Sequence, residues 1–273
     1  MKRFLSLLCA VCVFLFLLTA SIGLPIYIRP FYYAHIGAYD LAGVSGFSEA
    51  EIREAYDEVL DYLTQPGKPF GTGVMACSHE AEHHFADCRV LFELNAFLLV
   101  GSALILALLF ALRKKWGPYR LGTHSAAWWA AVLSVTAPIM IGCLAALDFD
   151  RAFVIFHSIF FPGKTNWIFD WHADQIIRVL PQEFFRNCAI LIGGGLVTMA
   201  GCILVWEGRR KNNVGNGMRA VPSVCRKRLS LPCKKLTVGT PLLRCPHCPP
   251  GVPDTSGEVS LRGIFRLSWW VYP

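Results

Sequence analysis

Four stretches of the chain, residues 4–26, 90–112, 125–147 and 188–206, are apolar over a length that lets a helix cross ~30 Å of hydrocarbon at ~1.5 Å per residue. No charge stands between Asn95 and Leu112, or between Ser125 and Leu147. The first stretch follows Met-Lys-Arg as a secretory leader would. Its apolar part is too long for one, and no small-x-small cleavage site stands out, so it is read as a retained span. The pattern predicts an all-α polytopic membrane protein with four transmembrane helices.

Between the spans the period changes. Residues 48–63 place Ile52, Ala55, Tyr56, Val59, Leu60 and Leu63 at helical intervals behind Ser48 and Glu51, which have capping-box spacing; Gln65-Pro66-Gly67 ends the pattern. This predicts one amphipathic helix outside the bilayer, its apolar stripe laid on the membrane or on the spans. Residues 152–161 are apolar except for Ser158 and a lone His157, and a band of Trp167, Phe169, Asp170, Trp171 and Asp174 follows. Trp favours the membrane–water boundary, and an ionisable group held there marks a site or a hydrogen-bonded packing residue. The expectation is a reentrant or interfacial segment bearing His157. His35, close behind the first span, is expected at the interface as well, and His124 and His172 carry no signal.

Composition agrees: 54% of the 273 residues are hydrophobic and 16% charged. Charge adds orientation. Lys2 and Arg3, then Arg113, Lys114, Lys115 and Arg120, then Arg209, Arg210 and Lys211 flank the spans, and all three clusters fall on one side if every span crosses. Both termini are therefore expected in the cytoplasm, with outer loops at 27–89 and 148–187. The first of those loops has ten acidic and four basic residues, a net of −6. The overall charge of +7 comes mostly from flanks and tail and gives no reason to expect nucleic acid.

Two motifs overlap at residues 76–92. His79-Glu80-Ala81-Glu82-His83 spells HExxH, which on a helix would hold zinc between two histidines while the glutamate activates water. Glu93, Asp170 or His172 would have to supply a third ligand. A zinc-dependent membrane hydrolase or protease is thus one alternative. One residue on, His84, Asp87 and Arg89 stand at the mouth of the second span, with His84 and Asp87 three apart on one helical face. His84 and His157 would meet at one depth if the four spans bundle. A second alternative is a non-enzymatic scaffold that binds a partner through the amphipathic helix.

The stretches HxxDxRxxF, residues 84–92, and AFxxFHxxFFPGxxxWxFD, residues 152–170, with Asp174, Ile176, Ile177, Pro181, Phe184 and Phe185, resemble the bacterial integral membrane family of lipoprotein intramolecular transacylases. The resemblance covers about residues 4–211. The family pattern has Met and Val where Phe85 and Cys88 stand. The resemblance implies a four-helix acyltransferase of the bacterial cell membrane, its site facing the outer leaflet. It would move the sn-2 acyl chain of a diacylglyceryl-cysteine lipoprotein to that cysteine's α-amino group, leaving a lyso-form lipoprotein. It implies catalytic roles for His157 and His84, supported by Asp87, Arg89, Asp174 and Trp167, with no metal and no cofactor. Its partners would be diacylated lipoproteins and membrane phospholipid.

Cys77 and Cys88 lie close enough in sequence for a disulfide on an oxidising outer side, a pairing the sequence leaves open. Cys9, Cys12, Cys143, Cys188 and Cys202 are in or at the spans and act as small apolar residues. Residues 1–211 are expected to form the catalytic domain. Residues 212–273 are rich in Pro, Gly and basic residues and predict a disordered cytoplasmic tail. Cys245 and Cys248 form a CxxC there, with Cys225 and Cys233 at poor spacing for a zinc ribbon.

Overall fold

The structure is a computed structural model that describes residues 1–219, with side chains through residue 210 apart from Leu144. The tail readings from residue 220 on, including its CxxC, lie outside the described residues.

Among the described residues four helices are long and apolar enough to span a membrane: α1 (Lys2–Tyr27), α5 (His79–Trp116), α6 (Ala126–Leu147) and α8 (Gln182–Arg219). They contain the four expected stretches, extended at the ends. The fold is that of an all-α membrane-integral protein, and α1 is its centre: α5, α6 and α8 all pack on it, and α6 also packs on α8. Leu17, Ala131, Leu196 and Ala200 meet where α1, α6 and α8 cross, and the two alanines allow close approach of the backbones. Large apolar residues such as Phe97, Leu104, Phe110, Met140 and Ile190 face outward, where the bilayer solvates them. The expected second span and the histidine cluster before it are one unbroken helix, α5, capped by the Ser78 hydroxyl, which accepts the Ala81 N–H at 3.2 Å.

At one end the bundle carries a packed head. Ile28 ends α1, and Pro30, with no N–H to give, opens α2 (Arg29–Ala38). A short α3 (Leu41–Ser45) and then α4 (Glu49–Thr64) follow. The capping box of α4 forms as its sequence predicts: the Glu51 N–H donates to the Ser48 Oγ at 3.3 Å, and the Ser48 N–H donates to the Glu51 carboxylate at 2.8 Å. All six stripe residues of α4 are buried, against Tyr32, Ile36, Ile176, Val179 and Phe184. Each fully buried aliphatic side chain contributes about 1.5–3 kcal/mol. The stripe thus packs inside the protein and leaves no apolar face for a scaffold partner. Tyr32 stacks on Tyr56 at 3.7 Å, and its hydroxyl donates to the Val179 carbonyl at 2.7 Å. Arg29 binds Asp57 at 2.6 Å and also reaches Asp61, tying α2 to α4.

At the other end, strands β1 (Arg120–Leu121) and β2 (His124–Ser125) form a small antiparallel hairpin, with Gly122 at φ 65° in its turn. The Arg120 N–H donates to Ser6 Oγ at 3.1 Å, joining this hairpin to α1. Beyond α6, α7 (Phe149–Phe160) starts at Asp148, whose carboxylate accepts the Arg151 N–H at 2.9 Å. A loop and a 3₁₀ turn (Gln175–Arg178) then lead into α8.

Candidate active site

The first turns of α5 deliver His84, and the last turn of α7 delivers His157. Their ring centroids lie 5.8 Å apart, and each histidine is only 7% exposed. Aromatic rings enclose the pair. Phe161 lies 4.8 Å and Phe169 5.5 Å from His84, while Phe153 lies 4.2 Å from His157 and the Trp167 ring stacks on it at 4.6 Å. Two imidazoles from distant parts of the chain therefore converge under an aromatic cover.

His157 has its tautomer written into the geometry. Its Nδ1 lies 2.8 Å from the Phe153 carbonyl, one helical turn back. A carbonyl only accepts, so Nδ1 carries the proton and Nε2 keeps a lone pair. Burial lowers the pKa of His157 below the ordinary 6.5, which keeps the ring neutral, while the Phe153 bond opposes that shift. His84 is arranged differently. Its Nε2 lies 3.4 Å from the Cys88 sulfur, and its Nδ1 is buried with no hydrogen-bond partner.

The supporting residues take more varied places than the sequence suggests. Asp87 does not bond His84; its carboxylate accepts the Asn166 side-chain N–H at 3.0 Å and pairs with Lys164, pinning the 161–174 loop over the site. Asp174 is buried and bridges two segments, accepting the Ser78 N–H at 2.8 Å and the Asp170 N–H at 3.0 Å. It holds the start of α5 against the same loop. Trp167 donates its ring N–H to the Lys164 carbonyl at 3.0 Å, so the indole contributes its face to His157 and not a donor to a developing charge. Arg89 turns away to another task. It pairs with Glu93 at 2.9 Å, sits over the Tyr62 ring at 5.0 Å and donates to the Gln65 and Lys68 carbonyls. It fastens the 65–68 turn and does not orient the histidines, because i to i+4 geometry favours Glu93.

His79 and His83 face each other on the exposed side of the first turns of α5, their Nε2 atoms 3.0 Å apart. Among the described residues no three His, Cys, Asp or Glu side chains gather as metal ligands, so the HExxH spelling lacks a third donor. Cys77 and Cys88 are both free thiols. Burial, with smaller help from the charges of Asp174 and Glu82, pushes Cys77 up to about 11. His35 is buried in the head: its Nδ1 lies 2.6 Å from the Phe31 carbonyl, and its Nε2 accepts from Asn187 at 3.0 Å. Sequence reasoning missed Lys164 and Asn166, which lie 77 and 79 positions from their partner Asp87. No local signal announces a contact of that span.

A cavity of about 360 Å³ opens between the first turns of α5 and the loop after α7, lined by Glu80, His83, Asp87 and residues 163–166. A second, of about 230 Å³ and lined by Val90, Leu91, Phe160, Phe161 and Pro162, shares Asp87 and Lys164 with it. A polar chamber thus adjoins an apolar one across Asp87 and Lys164, and Phe161 of the aromatic cover lines the second.

Four helices of membrane-spanning length among the described residues, a packed head and two covered imidazoles define a membrane-integral protein with a buried histidine pair. The family model of the lipoprotein intramolecular transacylase Lit matches residues 7–185, and the chain belongs to that family. It is accordingly an integral membrane acyltransferase acting on lipoprotein. The in meso structure of Lit from Bacillus cereus is similar to it with a TM-score of 0.68 and 22% identity, covering 84% of this chain and 99% of that one. Two forms of the same protein, with one histidine changed to alanine or to arginine, match at TM-scores of 0.64 with 21% and 20% identity, over 84% and 78% of this chain and 96% and 95% of theirs. At these identities the solved structures speak for the fold. No curated protein sequence matches the chain significantly.

Proposed function

We propose that His157 and His84 move the sn-2 acyl chain of a diacylglyceryl-cysteine lipoprotein onto the α-amino group of that same cysteine. An α-amine with pKa about 8 attacks only as the free base, formed when its ammonium gives one proton to solvent; on attack the nitrogen turns acidic and gives a second proton to a neutral imidazole at modest cost. His157 Nε2, left with a lone pair by the Phe153 bond, takes that proton as the nitrogen attacks the ester carbonyl. The carbonyl oxygen gains negative charge in the tetrahedral intermediate, and His84 assists there, in holding the oxyanion or in passing the proton. Collapse breaks the bond to the glyceryl 2-oxygen, which leaves with the proton from His157. The products are an amide on the cysteine and a free 2-hydroxyl on the glyceryl group. Atoms and charges balance without a cofactor or metal. Both reacting groups ride on one bound molecule, which supplies several kcal/mol of the barrier reduction.

The observation that carries this reading is the pair of buried rings 5.8 Å apart, one with its tautomer fixed. The polar cavity suits the lipoprotein's first residues and glyceryl group. The apolar one, open toward Val90 and Phe160, suits an acyl chain. The basic clusters beside α1, α5 and α8 support cytoplasmic termini and a site at the outer leaflet, among phospholipid. Residues 1–211 form the catalytic unit on this reading, and the rest of the chain takes no part in the chemistry.

The test is expression in a bacterium that makes diacylated lipoproteins, with mass spectrometry of a lipoprotein's N-terminal peptide. N-acyl, lyso-glyceryl cysteine is expected with the unaltered chain and absent with His157→Ala or His84→Ala. Unchanged diacylglyceryl cysteine from the inserted, unaltered chain would reject the reading.

A further inference from the structure

Three histidines among the described residues are buried, His35, His84 and His157. His35 and His157 each direct Nδ1 at the carbonyl one helical turn back, at 2.6 and 2.8 Å. His84 does not. It turns Nε2 toward the thiol of Cys88, one turn ahead on α5, at 3.4 Å, and its Nδ1 is left buried with no partner. A buried polar atom without a partner costs free energy and calls for an explanation.

The thiol decides which nitrogen carries the proton. A sulfur is a weak, diffuse acceptor, whereas an imidazole lone pair is a good one, so the favourable arrangement is S–H donating to Nε2. Cys88 is partly buried and packs against the head core, surroundings in which a thiol keeps its proton. Neutral His84 then carries its own proton on Nδ1, the atom left empty-handed. We propose that Cys88 is a positioning residue that locks His84 in the Nδ1–H tautomer and thereby presents a free N–H to the oxyanion of the transfer reaction.

This rests on the catalytic reading of His84 and completes it. His157 offers a lone pair and His84 a proton donor, so the two rings take opposite roles. Their orientation is set by opposite devices, a carbonyl acceptor behind His157 and a thiol donor ahead of His84. An unsatisfied N–H in the resting enzyme is then a preorganised donor that needs no rearrangement when charge develops. Cys88 itself neither attacks nor is acylated.

The experiment uses the full-length chain in lipid, labelled with ¹⁵N-histidine, the His84 signal being assigned by its loss in His84→Gln. The tautomer is read from the nitrogen shifts of the unaltered chain, Cys88→Ser and Cys88→Val, alongside kcat and KM for a synthetic diacylglyceryl-cysteine peptide. The unaltered chain and Cys88→Ser, which both offer a donor, should show Nδ1–H. Cys88→Val should lose that preference and fall about tenfold in kcat at unchanged KM, about the effect of one hydrogen bond. An unmoved tautomer and kcat in Cys88→Val would overturn the proposal. So would a loss in Cys88→Ser equal to that in Cys88→Val, or an acyl mass found on Cys88. Full activity in His84→Gln would reject the catalytic reading of His84 first, a result separable from the cysteine variants.

Discussion

Trp167 lies face to face with His157, ring centroids 4.6 Å apart and planes 29° from parallel, and gives its ring N–H to the Lys164 carbonyl. The indole is therefore a wall against one face of the imidazole. Trp167→Phe keeps a ring there and should cost activity about threefold, whereas Trp167→Ala frees the imidazole and should cost about a hundredfold, the scale of small misplacements of reacting groups. Initial rates of N-acyl product formation compare the two. Equal losses would show that the N–H, and not the ring face, matters.

The pH profile should carry the mark of a histidine that burial keeps neutral. Burial lowers the pKa of His157 below 6.5, so the base form persists as the solution is acidified through that value. The acid limb of kcat/KM is then set by the substrate amine, near pH 8, and the step from His157 falls below 6.5. Stability follows by linkage. The unfolded chain binds the His157 proton at 6.5 while the folded chain does not, so the contribution of this group is fully present above 6.5 and declines as pH falls below it. Rates and melting temperatures measured across this range check both statements.

The loop over the site depends on Asp87. Its carboxylate holds Lys164 and Asn166 together, so Asp87→Asn removes the ion pair and leaves His84 and His157 chemically intact. The expected outcome is a KM raised about fivefold with a smaller effect on kcat, as the 161–174 loop loosens. Steady-state kinetics on the lipopeptide decide. A collapse of kcat at constant KM would make Asp87 part of the chemistry.

The head is expected to respond as one packed body. Tyr32→Phe leaves the Val179 carbonyl without its buried partner and should destabilise by about 1–3 kcal/mol. Ile52→Ala, at a position with no exposure, should cost about 2–5 kcal/mol. Thermal unfolding in lipid or mild detergent reads both. Exposed Val44→Ala should be near neutral beside them.

His79 and His83 provide a contrast. Exposed and lacking a third ligand, the pair should tolerate His79→Ala, and chelators should leave the transfer rate unchanged. Activity lost to a chelator and restored by zinc would revive a metal role for this cluster.

Much of this arrangement is legible in the sequence, where the physics is local. Span length, the Ser48–Glu51 box and the stripe from Ile52 to Leu63 are set by periodicities of a few residues, and all appear where the pattern places them. The convergence of His84 and His157 followed from their positions at the mouths of two spans. What escaped is set by tertiary approach. Nothing near Arg89 says that Tyr62 and Glu93 will claim it, and nothing near Trp167 says that its N–H will be spent on Lys164. Helices α2 and α3 were also illegible, because the head core and not an amphipathic period stabilises them.

The central claim is that two imidazoles act as one unit. It is tested most directly by the transfer rate of purified chain in lipid, on a synthetic diacylglyceryl-cysteine peptide, for the unaltered chain, His157→Ala, His84→Ala and the double variant. Each single change should lower kcat by about a hundredfold to ten-thousandfold, and the double should fall little further, since removing either member of a unit already removes its function. Losses that multiply in the double variant, or a single variant that keeps its rate while folded, would contradict the account.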